Sequence, residues 1–244
     1  RRAVHGLEIV NDGHAVCRGE ILMAGTLYGV GVGPGDPELL TLKALRILTS
    51  VPVLAWPAPE EGPSLAREIV ADHLPGGQRE IAIRMPLSPA RFPADDVYDN
   101  AAAEISAALS EGDDVAVICE GDPFFYGSFM YLFGRLAADH PVEVVPGVSS
   151  LTACAAALGA PLSAKNDVLS VVPGPLAADR MSARLAEADA AAVIKVGRHL
   201  PKIRGVLDDL GLTQNARYIE RATMAEQRIV SLDKVPENAA PYFS

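Results

Sequence analysis

Two short stretches carry the same chemical theme. Gly29-Val30-Gly31-Val32-Gly33-Pro34-Gly35-Asp36-Pro37-Glu38 and Glu120-Gly121-Asp122-Pro123-Phe124-Phe125-Tyr126-Gly127-Ser128 each hold a Gly-Asp-Pro turn after an apolar run. Glycine lets a backbone approach a ligand closely. An aspartate in such a turn accepts a hydrogen bond from a ligand hydroxyl or ammonium, or it caps the helix that follows. A third stretch, Val145-Pro146-Gly147-Val148-Ser149-Ser150, offers backbone N–H groups and two hydroxyls, with Ser149 also a natural N-cap. A fourth, Tyr218 to Arg228, is dense in polar groups and reads equally as a solvated edge. Lys195 and Arg198 follow an apolar run, either as surface charges or as contacts to an anion.

Several familiar chemistries do not fit these residues. Counted from Gly29, the third glycine of a dinucleotide fingerprint falls on Pro34, and no Gly-Lys-Ser/Thr ending marks a phosphate loop. No Gly-x-Ser-x-Gly elbow surrounds Ser149, so a serine nucleophile is not expected. His5, His14, His73, His140 and His199 are scattered without ligand spacing, and no metal site is expected.

The elements that must position these turns alternate. Apolar strands are predicted at 26–32, 51–56, 81–85, 114–119 and 142–145, then at 168–172, 191–196 and 217–220. Helices are predicted at 38–48, 64–73, 94–110, 125–136, 149–158, 178–187 and 200–210, with Leu39, Leu42 and Leu45 facing inward on the first. Strand-helix alternation argues for parallel βαβ units, in which both Gly-Asp-Pro turns lie at carboxyl ends of strands. The expected organisation is an extension over 1–22, one α/β lobe over 23–138 and a second over 139–244, without an obvious final strand.

Composition narrows the partners. The 244 residues are 49% hydrophobic and 21% charged, which is enough to bury a core. A formal net charge of −10 without a Lys/Arg tract argues against nucleic acid. Cys17, Cys119 and Cys154 are far apart and read as reduced thiols, consistent with a cytoplasmic protein. The uncharged run between Glu143 and Lys165 has membrane-span length but is broken by Pro146, Gly147, Gly159 and Pro161. It reads as strand end, turn, buried helix and loop, so no membrane partner is expected. Residues 1–23 lack the apolar core of a signal peptide.

Taken in order, the motifs resemble those of the tetrapyrrole methylases. The likeness runs from Gly25 to Ser244 through Gly31–Thr41, Gly121–Gly127, Pro146–Ser150 and the Glu-Arg-Ala-Thr…Gln motif of Glu220–Gln227. Met23–Ala44, Trp56–Pro59, Ile83–Pro86, Gly121–Leu132, Ile194–Arg198 and Pro241–Ser244 are similar to the branch that methylates C20 of precorrin-2. In that branch some chain usually follows Tyr-Phe-Ser, so a clipped or formerly fused C-terminus is expected.

The resemblance implies a two-lobed class III methyltransferase with S-adenosylmethionine folded between the lobes. It implies cofactor contacts from Pro34, Glu120, Gly121, Asp122, Phe125, Ser149, Ser150, Val196 and Ala222. Sirohaem-type relatives have glycine in place of Glu120 and Ala222. The implied reaction converts precorrin-2 to precorrin-3A in cobalamin synthesis, with Asp36 as the favoured general base beside its capping role. A polycarboxylate substrate calls for local cations. Arg84, Arg91, Lys165, Lys195, Arg198 and Arg221 fall near predicted strand ends. A homodimer is implied as well. The alternatives are the cobalt-containing substrate of the same reaction, or a non-enzymatic tetrapyrrole carrier.

Overall fold

The computed structural model describes residues 24–86 and 94–236. The expected extension over 1–22, Cys17, Arg91 and the C-terminal Pro241–Ser244 lie outside the described residues.

Five short strands form one parallel sheet. They are β1 (Leu27–Gly31), β2 (Val53–Pro59), β3 (Arg79–Met85), β4 (Val115–Cys119) and β5 (Val142–Val145), in the order β3-β2-β4-β1-β5. A sheet covered on both faces needs strands that are apolar on both, and β4 is buried along its whole length. Its Val115, Val117 and Cys119 pack against α3 (Asp95–Ser110) and α4 (Phe129–Leu136). Its Ala116 and Ile118 pack on the opposite face, with α1 (Leu42–Leu48) and α2 (Leu65–Ile69). Each fully buried Leu, Ile or Phe in these layers contributes about 1.5–3 kcal/mol.

The chain crosses from β1 past β4 to β2, and later returns to place β4 between them. The loops after β1 and β4 therefore leave adjacent strands at one edge of the sheet, where such folds bind ligands. β5 joins the far side of β1, pairing Leu27 with Val142 and Val30 with Val145. By its pairing this strand belongs to the first sheet, although it lies beyond residue 138.

The remaining chain builds a separate core. β6 (Leu169–Pro173) and β7 (Ala190–Ile194) run parallel, joined by α6 (Ala178–Ala186). α7 (Leu200–Asp209) follows, and β8 (Arg217–Glu220) pairs antiparallel with β9 (Arg228–Ser231). Met181, Leu185, Leu200, Ile203, Val206 and Tyr218 are buried together in this core. The α/β class, with a mostly parallel sheet and flanking helices, is as expected.

Several local expectations change. The helix predicted from Glu38 is split: Pro37–Leu39 forms a single 3-10 turn, and Thr41 Oγ1 accepts the Ala44 N–H to start α1 at Leu42. Leu42 is then 86% exposed, and Ala44, Ile47 and Leu48 face inward instead. The helix predicted from Phe125 begins at Phe129, because the Asp122 turn occupies the preceding residues. β9 is a further strand that its mixed polar sequence hid.

The helix expected to be buried after Gly147, α5 (Ser150–Leu158), has only Ala153 fully buried. No described helix is long and apolar enough to cross a membrane.

Candidate active site

Three loops meet at the carboxyl ends of β1, β4 and β5. Gly121 N–H donates to Gly33 O at 2.8 Å, and Gly33 N–H donates to Gly121 O at 3.3 Å. Gly121 has φ +65°, a conformation glycine adopts without steric cost. Gly147 lies so close that a Cβ there would sit 2.0 Å from Gly121 O. Asp122 fastens the arrangement. Its Oδ1 accepts the N–H groups of Phe124 at 2.9 Å and Phe125 at 3.1 Å, and its Oδ2 accepts Gly147 N–H at 3.1 Å. The carboxylate thus holds the second loop to the third.

Asp36 and Ser149 also cap, as their helix-start positions allow. Asp36 Oδ1 accepts Glu38 N–H at 2.9 Å, and Ser149 Oγ accepts Leu151 N–H at 3.2 Å. Ser150 is exposed at the first position of α5, and Pro34 is half-buried in the first loop.

Segments from the second core close on these loops. Asp36 N–H donates to Thr223 Oγ1 at 3.0 Å, a bond between residues 187 apart in sequence. A Cβ on Gly35 would strike Met224 Cγ at 2.4 Å. Thr223 is itself fixed, its N–H donating to Gln227 Oε1 at 2.7 Å. Lys195 Nζ lies 5.7 Å from the Tyr126 ring centroid, and the neighbouring Val196 and Ala222 are buried.

Among the described residues, five non-glycine residues have φ in the left-handed region. Four of them meet at this closure, Tyr126 on the second loop and Lys195, Arg221 and Thr223 on the closing segments, and backbone strain concentrates at functional sites.

Two pockets share Asp36 and Thr223 and so flank that contact. One of about 420 Å³ is walled by Leu39, Val148, Thr152, Ala153 and Gln227. Its size suits a small molecule. It also accounts for the open face of α5, whose small residues form the wall. The other, of about 240 Å³, lies against Leu65, Glu68, Ile69 and Met224. Beside Gly121 the space is open, since a Cβ there would meet nothing nearer than Val148 O at 4.0 Å.

Burial sets the electrostatics. Glu120 Oε1 accepts Ala66 N–H at 3.2 Å, and burial pushes its carboxyl above the usual range. Cys119 is buried, and burial first, then Glu120 and Asp122, raises its thiol, as in an unreactive structural cysteine. Burial lowers Lys195. Phe124, Phe125 and Tyr126 remain 49%, 38% and 42% exposed and form an aromatic rim on the second loop.

The cations expected near a substrate do not all gather. Arg84 lies on edge strand β3, its Nη1 donating to Pro59 O at 3.1 Å and Gly62 O at 3.2 Å. Lys165, Arg198 and Arg221 are exposed. No group of three or more potential metal ligands occurs among the described residues. Sequence reasoning passed over Tyr126, Gly147 and Thr223 as individual site residues. All three stood within the quoted motifs, but their roles depend on partners distant in sequence.

The family model of the Tetrapyrrole (Corrin/Porphyrin) Methylases matches residues 26–236. The chain is 42% identical over 228 residues to precorrin-2 C(20)-methyltransferase of Sinorhizobium sp, covering 90% of this chain and 93% of that protein. It is 33% identical over 226 residues to cobalt-precorrin-2 C(20)-methyltransferase of Salmonella typhimurium, covering 91% and 95%. It is 42% identical to cobalamin biosynthesis protein CobIJ of Mycobacterium tuberculosis, but 90% of this chain spans only 45% of that protein. Among solved structures, uroporphyrin-III C-methyl transferase from Thermus thermophilus complexed with S-adenyl homocysteine has a TM-score of 0.66 and 27% identity. That match covers 89% of this chain and 88% of the other.

Proposed function

The chain belongs to the tetrapyrrole (corrin/porphyrin) methylases, and from that premise we propose that it methylates C20 of precorrin-2. The products are precorrin-3A and S-adenosylhomocysteine, on the route to cobalamin. The observation that carries this reading is the 42% identity to the Sinorhizobium enzyme across nearly the full length of both chains. The convergent glycine loops, the open space at Gly121 and the adjoining pocket fit a small-molecule methyl donor.

S-adenosylmethionine supplies a methyl group already activated on a sulfonium. The protein's task is to hold donor and acceptor in line and to exclude water. Pro34, Glu120, Gly121 and Phe125 would line the donor from the first two loops, and Ser149 and Ser150 from the third. Val196 and Ala222 would close over it from the second lobe. Asp122, with its oxygens committed to Phe124, Phe125 and Gly147, would act by fixing the loops. Among the described residues, Asp36 is the one acid lining the larger of these two pockets, and it is our proposed acceptor for the proton lost from the macrocycle. The aromatic rim at Phe124–Tyr126 suits a flat conjugated acceptor.

We take the protein to be two lobes that divide after β5 rather than at 138. We further propose a cytoplasmic homodimer; light scattering on the purified protein checks the second part. Cobalt-precorrin-2 is the second reading, favoured by the 33% identity to the Salmonella enzyme.

The test incubates the protein with S-adenosylmethionine and either metal-free or cobalt-loaded substrate, and reads the product by mass and NMR. One added methyl at C20 of the metal-free substrate is expected. Methylation of the cobalt form alone would transfer the activity to the second reading. No methylation of either would overturn the proposal.

A further inference from the structure

Lys195 directly follows β7 and has φ +58°, a backbone conformation that side-chain-bearing residues rarely adopt. Its geometry is fixed from behind. A Cβ on Gly174 would sit 2.4 Å from Lys195 O, and Lys202 Nζ donates to Gly174 O at 2.6 Å and also to Leu176 O. Its side chain crosses to the opposite lobe, where the ammonium lies 5.7 Å from the Tyr126 ring centroid. Tyr126 is also in the left-handed region, with φ +57°, and is braced edge-on by Phe125 at 5.1 Å. Two strained residues from distant parts of the chain therefore meet across the cleft.

Other cations with a fixed geometry have found oxygen partners. Arg135 pairs with Asp95 and Asp99, Arg84 with two carbonyls, Arg204 with Leu232 O and Val235 O, and Lys202 with the carbonyls above. Among the described residues, no carboxylate pairs with Lys195. Leaving a half-buried cation without an anion costs stability, and the protein's −10 charge offers acids elsewhere. Strained backbone, a braced aromatic face and a missing counter-ion together describe a prepared anion receptor.

We propose that Lys195 is the carboxylate-receiving cation of the cleft, with the Tyr126 ring as its resting place until a bound carboxylate engages it. The identity of the ligands rests on the function proposed above. Both carry the required group: the tetrapyrrole has several side-chain carboxylates, and the methyl donor has the carboxylate of its methionine part. The side chain's reach to the aromatic rim points to the tetrapyrrole.

The experiment compares the full chain with Lys195→Met and Lys195→Arg. Sirohydrochlorin, the metal-free oxidised relative of precorrin-2, and S-adenosylhomocysteine serve as separate probes in binding titrations. For Lys195→Met, sirohydrochlorin affinity should fall about tenfold or more while S-adenosylhomocysteine changes less than about twofold. Lys195→Arg should recover most of the loss. A selective loss for S-adenosylhomocysteine would support the receptor and assign it to the donor's carboxylate.

Unchanged affinity for both probes overturns the inference. So does an equal loss for both accompanied by a lower melting temperature, which would make the contact a structural latch. If Lys195→Met does not fold, lysine reductive methylation of the parent protein decides: ligand must shield Lys195, and unaltered labelling overturns the inference. A parent protein that binds neither probe would instead overturn the proposed function.

Discussion

Glu120 directly follows β4, with one oxygen accepting Ala66 N–H, and burial holds its carboxyl above the usual range. An acid raised in this way binds its proton more tightly when folded than when unfolded. Stability therefore falls as pH rises from the ordinary glutamate range through the raised value. Glu120→Gln keeps an acceptor for Ala66 and removes the charge that burial penalises. The variant should be more stable than the parent at neutral pH and should lose this part of the pH slope. Urea midpoints between about pH 4 and pH 8 measure both effects, and a slope unchanged by the substitution would remove Glu120 as its source. At this scale the sequence was informative about residue type. Gly121, Asp122 and Ser149 stand out in any reading, because tight turns restrict which residues can occupy them. It was not informative about what each side chain holds: no local spacing shows that the second oxygen of Asp122 accepts Gly147 N–H.

At the scale of elements, the site depends on β1, β4 and β5 delivering three turns to one point. The approach of Gly147 to Gly121 leaves no room for a methyl group, since the obstructing atom is a backbone carbonyl at 2.0 Å. Gly147→Ala should cost about 2 kcal/mol or more. Gly134→Ala is the matched control, because nothing lies within 4 Å of that position in α4. It should stabilise the protein by about 0.5–1 kcal/mol through helix propensity alone. Chemical denaturation measures both, and equal effects would show that loop convergence does not limit stability. The alternation of strand and helix was legible because period-2 and helical patterns are local. The start of α1 was not, because the Thr41 cap competes with the Leu39-Leu42-Leu45 stripe and wins. β9 was hidden because its pairing with β8, not its own polarity, makes it a strand.

For the whole molecule, closure of the second core over the three loops decides how binding couples to stability. A donor held between the lobes should stabilise both together. S-adenosylhomocysteine at about 100-fold its dissociation constant should add about 2.7 kcal/mol. For a chain of this size that is a rise of about 5–10 °C in melting temperature. Trp56, the only tryptophan, reports on β2 in the first sheet, whereas far-UV circular dichroism reports on the whole chain. Both transitions should move together, and a shift confined to Trp56 would place the donor in the first lobe alone. The sequence by itself determined the α/β class, the positions of the turns and the acidic charge, because each follows from local pattern or from composition. Only the tertiary structure decided that β5 closes the first sheet, that Thr223 meets Asp36 and that Lys195 rests on Tyr126. Those pairings join residues far apart in the chain, and packing selects them where no local spacing can.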